Sequence, residues 1–254
     1  MGKYIYCIAE GTGERSFGPL GIGGRGDELA TVVHRDIAAV VSDSPVRRYP
    51  VSRENSFAHE RAIEAVFERH TVLPVRFCTI AEDEAVVREI LEREYEEFKA
   101  LLERMRHKVE IGIKAVFHEA RVYQDILERY GEIRRRREAV AALPAARAHR
   151  AFIEIGRLVE AALEAEKARV RDEIVAALEG ACCDLRLTDR LLGERMIMNA
   201  AFLVDRDREA AFAREMERLA ERYGERVTFR YVGEIPPFNF VNLVILVGEE
   251  EACS

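Results

Sequence analysis

The sequence has no tryptophan, few cysteines and no apolar run long enough to cross a membrane. Its 254 residues contain five cysteines, an odd number, and none of them stands at the spacing of a metal-binding motif. The first residues read as a strand rather than a leader, so we expect reduced thiols in a cytoplasmic protein. No apolar run reaches the ~18 residues of a spanning helix, so no membrane span is expected.

An excess of positive charge is also missing. The formal net charge is −7, whereas a general nucleic-acid binder normally shows an excess of basic residues, so no nucleic-acid partner is expected. Charged residues make up 33% of the chain, and Glu and Arg are interleaved along the predicted helices as on solvated helix surfaces. A chain of this length is long for a single core and favours two domains.

Motifs for catalysis and for cofactor binding do not occur. The chain has no G-x-S-x-G elbow, no P-loop and no zinc-binding pair of histidines at helical spacing, so we expect no catalytic residue, no cofactor and no metal site. Residues 21–26 (GIGGRG) do match G-x-G-x-x-G. A dinucleotide site needs these glycines directly between a strand and a helix. Here the predicted strand before them ends at residue 9, well before the glycines, and another predicted strand follows them. We therefore expect a flexible loop over a sheet.

The N-terminal part, residues 1–107, is predicted to be an α+β domain. A strand precedes the glycine-rich loop, and a hairpin, a helix that Ser52 can cap, a further strand and a long helix follow. The predicted bounds are 4–9, 29–34 and 37–42 for three strands, 52–69 for the first helix, 72–79 for the next strand and 83–106 for the long helix. Cys7 and Cys78 fall within predicted strands, where a small buried hydrophobe is the expected role.

Residues 108–254 are predicted to form the second α+β domain. A first strand is followed by a charged helical insertion at 119–149. This insertion has few apolar residues at helical spacing, so we expect it to be loosely attached and more mobile than the following helix. That following helix is long and is expected to turn Phe152 inward. The predicted bounds are 109–117 for the first strand, 150–179 for the long helix, 184–188 and 196–204 for two strands, 206–223 for a helix, and 227–231 and 242–247 for the last strands. Without the insertion the order is βαββαβ with one extra strand, as in a modified ferredoxin-like sandwich.

Several blocks of the sequence have distinctive residue patterns. Residues 71–79 read TVLPVRFCT, residues 109–114 read VEIGIK, and the C-terminal part contains NAAFLVD at 199–205 and FRYVGEIPPFNFV at 229–241. In this order they resemble the gas vesicle protein F/L family (GvpF and GvpL), whose patterns are TVLPxRFGT, VELGVK, NxAFLVDRDRE and FRYxGPxPPYxFV. The chain departs from these patterns at Cys78, where a small residue is usual, and at Phe238, where tyrosine is usual.

The resemblance implies a fold and a role. The family has two α+β domains, the second of a modified ferredoxin-like type. Its members support assembly of the gas-filled, protein-walled flotation vesicle and can be a minor component of it. The expected partners are the hydrophobic gas vesicle shell protein and other gas vesicle accessory proteins, and the expected locations are the cytoplasm and the gas vesicle. Nothing in the sequence indicates ATP use, so any chaperoning is expected to be passive binding.

Two segments are candidates for partner contact. Pro236, Pro237, Phe238 and Phe240 combine a stiff backbone with two aromatic rings on a short loop. Such a loop either folds back as a latch on the protein itself or presents its rings to a partner. The arginine run at 134–137 is either part of a solvated charged helix or a surface for an acidic partner.

A second class of function remains open from the sequence. A ferredoxin-like domain can also serve as a small-molecule-binding regulatory module without catalytic activity, and the glycine-rich loop at 21–26 would be its characteristic feature. An assembly factor should not be stabilised by nucleotides or metabolites, whereas such a module should be.

Overall fold

The computed structural model describes residues 1–11, 16–45, 48–141, 144–188, 193–241 and 243–245. Helices and two separate sheets confirm the α+β class. The chain forms two compact units: unit 1 comprises Met1–Glu110 with the described residues from Gly233 on, and unit 2 comprises Ile111–Val232. The predicted domain limits, 1–107 and 108–254, differ from these units because the C-terminal segment groups with unit 1.

The sheet of unit 1 is antiparallel and is built around its first strand. The strands are β1 (Gly2–Glu10), β2 (Ala30–His34), β3 (Ile37–Ser44), β4 (Val72–Pro74) and β5 (Ile80–Ala81). They lie in the order β2-β3-β1-β4, and β5 also pairs with β1. Tyr4 to Ala9 are all fully buried, which explains the nearly continuous apolar character of β1. The predicted hairpin is confirmed, and its turn residue Arg35 has a φ of 52°.

Three helices accompany this sheet, namely α1 (Arg53–Phe67), α2 (Glu84–Arg93) and α3 (Tyr95–Met105). The predicted cap is confirmed, because the side chain of Ser52 accepts a hydrogen bond from the backbone N–H of Asn55 at 3.2 Å. The single long helix predicted at 83–106 is wrong, since it breaks at Glu94 into α2 and α3. Directly after the break the hydroxyl of Tyr95 donates to Asp36 at 2.5 Å, which ties the start of α3 to the hairpin turn.

The predicted strand at 72–79 is too long. β4 ends at Pro74, as expected for a residue that has no N–H to donate to a ladder. Cys78 is therefore not a buried strand residue: it lies in the following turn, is partly exposed and has a φ of 69°. This left-handed conformation favours glycine, the residue that the TVLPxRFGT pattern has at this position. Cys7, in contrast, is buried in β1 as predicted.

The second sheet has the order β7-β8-β6-β9. Its strands are β6 (Lys108–Phe117), β7 (Asp184–Leu187), β8 (Met196–Asp205) and β9 (Val227–Ile235). β6 is the first strand of this sheet along the chain, yet it lies between β8 and β9. This is the neighbour relation of a split βαβ arrangement. β8 is buried along nearly its whole length, as its apolar run predicts.

The helices of unit 2 are α4 (Glu119–Arg129), α5 (Gly131–Ala141), α6 (Ala145–Glu179) and α7 (Glu209–Tyr223). The predicted insertion at 119–149 is helical. α6 begins at Ala145, which lies inside the predicted limits of that insertion. The inward orientation expected for Phe152 is wrong: this side chain is 56% exposed, whereas Ile155, three residues later, is buried. Gly224 ends α7 with a φ of 49°, as predicted.

The C-terminal strand predicted at 242–247 lies partly outside the described residues, which include only 243–245 of it. Leu243 makes an isolated parallel bridge with Val75 inside unit 1, and no strand is assigned to the described residues there. Among the helices that the structure describes, none combines the length and the apolar character needed to cross a membrane.

Candidate functional site

The four predicted partner-contact residues lie on a tight turn directly after β9. Pro236 and Pro237 are buried, Phe240 is 5% exposed, and Phe238 is half-buried. The N–H of Phe238 donates to the carbonyl of Pro236 at 2.7 Å, and the N–H groups of Phe240 and Val241 both donate to the carbonyl of Pro237 at 3.1 Å. The turn is therefore closed by its own backbone, and Phe238 is the one of its two aromatic rings that is not fully buried.

A buried carboxylate holds the turn from below. Glu110 on β6 is 1% exposed and accepts two hydrogen bonds from Asn239, from the backbone N–H at 2.7 Å and from the side-chain amide at 2.5 Å. Burial raises the pKa of Glu110, and the two Asn239 donors oppose that shift. Hydrogen bonds to a buried carboxylate are strong, so this pair fixes the position of the turn.

Further contacts fix the residues that follow Asn239. The guanidinium of Arg104 on α3 donates to the carbonyl of Phe240 at 3.3 Å. Val241, Leu243 and Ile245 are buried, and the bridge between Leu243 and Val75 joins this segment to the residues after β4. The segment thus packs within unit 1 through Pro236, Pro237 and Phe240, and partner contact through Phe238 stays a prediction.

Two of the sequence blocks meet at the turn, and a third contacts the segment that follows it. Glu110 belongs to the VEIGIK block, Val75 belongs to the TVLPVRFCT block, and Asn239 and Phe240 belong to the FRYVGEIPPFNFV block. All of these contacts lie inside unit 1. Glu110 of the VEIGIK block therefore helps to position the turn, and Val75 helps to position the residues after it. The NAAFLVD block is different, because it forms β8 in unit 2.

The TVLPVRFCT block is held in turn by a buried polar network. The hydroxyl of Tyr4 accepts the N–H of Cys78 at 2.8 Å and donates to Nδ1 of His59 at 3.1 Å. The other ring nitrogen of His59 therefore carries the proton, which it donates to the carbonyl of Val75 at 3.1 Å. Burial lowers the pKa of His59 to about 4, so the ring is neutral at neutral pH and acts as a structural strut.

The glycine-rich loop is packed against the same sheet. Ile22 is fully buried, and its N–H donates to the hydroxyl of Tyr6 at 2.7 Å. The loop closes on itself where the N–H of Gly21 donates to the carbonyl of Asp27 at 2.9 Å. It is followed by β2 rather than by a helix, so it lacks the helix N-terminus that binds a pyrophosphate in dinucleotide sites.

The polar groups that hold the turn and the TVLPVRFCT block have structural partners. In the described part of the chain, no group of three or more His, Cys, Asp or Glu side chains is placed to hold a metal ion. Glu110 accepts from Asn239, Arg104 donates to Phe240, and His59 bridges Tyr4 and Val75. The turn offers an aromatic ring on a fixed backbone, which is the chemistry of an interface anchor.

Comparison with known proteins agrees with these blocks. A family described as gas vesicle synthesis protein GvpL/GvpF matches residues 2–242. The chain belongs to the GvpL/GvpF family. A gas vesicle protein F from Streptomyces sp. (strain CB03234) is 28% identical over 244 residues, which are 95% of this chain and 100% of that protein. A gas vesicle protein F from Dolichospermum flosaquae is 25% identical over 205 residues, covering 80% and 82% of the two chains.

Solved structures of GvpL/GvpF proteins share the fold. The crystal structure of GvpF from Anabaena sp. PCC7120 has a TM-score of 0.81 at 22% identity and covers 96% of this chain and 99% of that one. The crystal structure of GvpF from Microcystis aeruginosa has a TM-score of 0.75 at 23% identity, with coverages of 95% and 99%. The resemblance to this family is thereby confirmed, and the chain is a gas vesicle related protein.

Two residues of this GvpL/GvpF chain, Glu110 and Asn239, were not identified as site residues from the sequence. Glu110 and Asn239 hold the turn, and the available signal was a lone acidic residue inside the apolar strand VEIGI. A carboxylate in a buried strand needs a donor, and that requirement alone could have directed attention to it. The arginine run lies elsewhere, on the exposed surface of α5 in unit 2.

Proposed function

We propose that this protein binds the gas vesicle shell protein and supports its ordered assembly. The observation that carries the proposal is the half-exposed ring of Phe238 on a turn held by Glu110, Asn239 and Arg104. A ring held on a fixed backbone loses little conformational freedom on binding, which favours an apolar contact. The client that the family serves is strongly hydrophobic, so an apolar anchor is the appropriate chemistry.

Binding is passive and non-catalytic in this proposal. Pro236, Pro237 and Phe240 form the support of the contact, and Phe238 forms the contact itself. The shell protein is held before it enters the vesicle wall, which prevents aggregation or nucleates its addition. The protein then acts in the cytoplasm and at the gas vesicle, where it also meets other accessory proteins and can remain as a minor component.

A light-scattering experiment tests this role. Shell protein diluted from denaturant should aggregate alone and stay dispersed when this protein is present in stoichiometric amounts, with or without ATP. An ATP requirement would contradict passive binding. Aggregation at an unchanged rate with excess protein would contradict the proposal as a whole.

The alternative of a small-molecule-binding module is weakened by the packing of the glycine-rich loop. Ile22 fills the space under that loop, and the hydroxyl of Tyr6 is already engaged with the Ile22 N–H. Thermal shift against a nucleotide and metabolite panel separates the two functions. The assembly role predicts an unchanged melting temperature throughout the panel, and a reproducible rise with one ligand would favour the module.

A further inference from the structure

An apolar cavity opens between the three helices α4, α5 and α6 of unit 2. Its volume is about 160 Å³, and it is lined by Tyr123, Ile126, Leu127, Ile133, Arg137, Ile155 and Val159. A cavity of roughly 150 Å³ with apolar walls binds a benzene-sized molecule. The space therefore fits one aromatic or branched side chain and is too small for a long acyl chain.

The apolar surface continues outside the cavity. Phe152 precedes Ile155 by three residues and Val159 by seven, so the three share one face of α6. Phe152 is 56% exposed, and a large exposed ring beside an apolar cavity is typical of a contact surface. The cavity and Phe152 together form what we call the helical groove.

Two arginines of α5 lie at the rim of the helical groove. Arg137 lines the cavity, and Arg134 lies one turn before it on α5. Arg136 is paired with Glu132 at 2.7 Å, whereas no described carboxylate forms an ion pair with Arg134, Arg135 or Arg137. Arginines outnumber acidic residues between 119 and 149, although the whole chain has a net charge of −7. Uncompensated arginines beside an apolar cavity are complementary to carboxylates.

We infer that the helical groove binds an acidic amphipathic helix of a protein partner. One apolar side chain of that helix enters the cavity, a second lies on Phe152, and flanking carboxylates pair with Arg137 and Arg134. This is the helix-in-groove mode of recognition, in which apolar anchors at helical spacing give affinity and flanking charges select the partner. The inference concerns unit 2 only and does not depend on the proposed role of Phe238.

The probe is a fluorescein-labelled helical peptide with a Phe anchor, Leu at the i+4 and i+7 positions and Glu on both sides of that stripe. Fluorescence anisotropy with the full-length protein should show saturable binding that weakens as salt is added. Replacing the Glu residues of the peptide by Lys, or its Phe by Ala, should abolish measurable binding. Gel filtration of the protein alone should be unchanged by the variants below.

Two matched variants of α5 isolate the charge contribution. Arg137→Gln should weaken peptide binding about fivefold, the effect of losing one partly exposed charge pair. Arg135→Gln removes the same charge from the same helix on another face, and it should change the affinity less than twofold. Phe152→Ser should weaken binding at unchanged salt dependence, because it removes apolar contact and no charge. The helical circular dichroism of each variant should match that of the original protein.

Several results would overturn the inference. These are absent binding by the original protein, equal losses for Arg137→Gln and Arg135→Gln, or equal affinity for the Lys peptide. Displacement of the peptide by stoichiometric dodecanoate would assign the cavity to an acyl chain instead. A dimer of the original protein that Arg137→Gln dissociates would assign the helical groove to a second copy of this chain.

Discussion

The Glu110–Asn239 pair gives the sharpest test of how the aromatic turn is held. In the change Asn239→Ala, the carboxylate of Glu110 loses the amide donor at 2.5 Å and keeps the backbone N–H at 2.7 Å. Glu110 is almost fully buried although Asn239 is exposed, so we expect water to replace the lost donor only in part. A hydrogen bond to a buried charged group contributes about 1.5–3 kcal/mol, and we expect unfolding free energy to fall by that amount at pH 8.

The same change has a predictable pH dependence. Burial already raises the pKa of Glu110, so the folded protein binds this proton more tightly than the unfolded chain does. The stability that comes from this proton is present below the unfolded pKa of about 4.3 and is lost as pH rises through the folded value. Asn239→Ala raises the folded pKa further, because it removes a donor to the charged form. The loss of stability should therefore be smaller near pH 5 than at pH 8.

Urea denaturation followed by circular dichroism at both pH values measures this effect. The matched background is Glu110→Gln, in which no charge remains to be stabilised. Adding Asn239→Ala to that background should cost less than it does in the original protein, and the cost should not depend on pH between 5 and 8. Equal losses at pH 5 and pH 8 in the original background would refute the reasoning, as would no loss at either.

Two further predictions concern groups away from the turn. The imidazole of His59 should titrate near pH 4 by NMR. Because the folded pKa lies below the unfolded value, the unfolding free energy should fall by about 3 kcal/mol as pH drops from 6.5 to 4. A ring that titrates near 6.5 would contradict this. Burial raises the pKa of Glu166, but Arg169 and Arg129 outweigh burial and hold this pKa below its usual value. Glu166→Gln should therefore lower the unfolding free energy by about 2 kcal/mol at pH 7, and by progressively less as pH falls through the folded pKa. The control Glu132→Gln, whose ion pair with Arg136 is exposed on both sides, should cost under about 0.5 kcal/mol by the same urea titration, and equal costs would show that burial is irrelevant.

The mobility expected for the insertion stays a prediction with a clear measurement. Arg129 on α4 reaches Glu166 on α6 at 2.6 Å, and Val122, Ile126 and Ile133 are buried, so the insertion has some anchorage. Its exposed polar surface nevertheless predicts faster amide hydrogen exchange than in β8. Exchange in α4 and α5 as slow as in β8 would contradict the expectation.

Local patterns predicted much of the fold correctly. The apolar run of β8, the cap at Ser52 and the glycine after α7 each depend on neighbouring residues, and each was read from them. The break at Glu94 was missed because the apolar stripe continues through it, and the contact that accompanies it, between Tyr95 and Asp36, lies far away in sequence. Phe152 was misplaced because helical spacing identifies a face without saying how far burial extends along it.

The candidate site was predictable only in part. Two prolines and two aromatic rings on a short loop indicated a stiff segment, and the turn is closed by its own backbone hydrogen bonds; its role in partner contact stays a prediction. The distinction between the buried Phe240 and the half-exposed Phe238 depends on partners distant in the chain, namely Arg104 and Glu110. No local pattern carries that information, since both rings stand in the same short segment.

The affinity for the shell protein, measured together with stability for Phe238→Ser, tests the central claim most directly. Phe238 is half-buried, so the change should lower unfolding free energy by only about 1 kcal/mol. Capture of the shell protein should weaken by about 2 kcal/mol, roughly thirtyfold, as for an interface hot spot. Phe57→Ser is the control, because it removes another exposed ring from unit 1, and it should leave capture unchanged. Unchanged capture by Phe238→Ser, or equal losses for Phe57→Ser, would contradict the account.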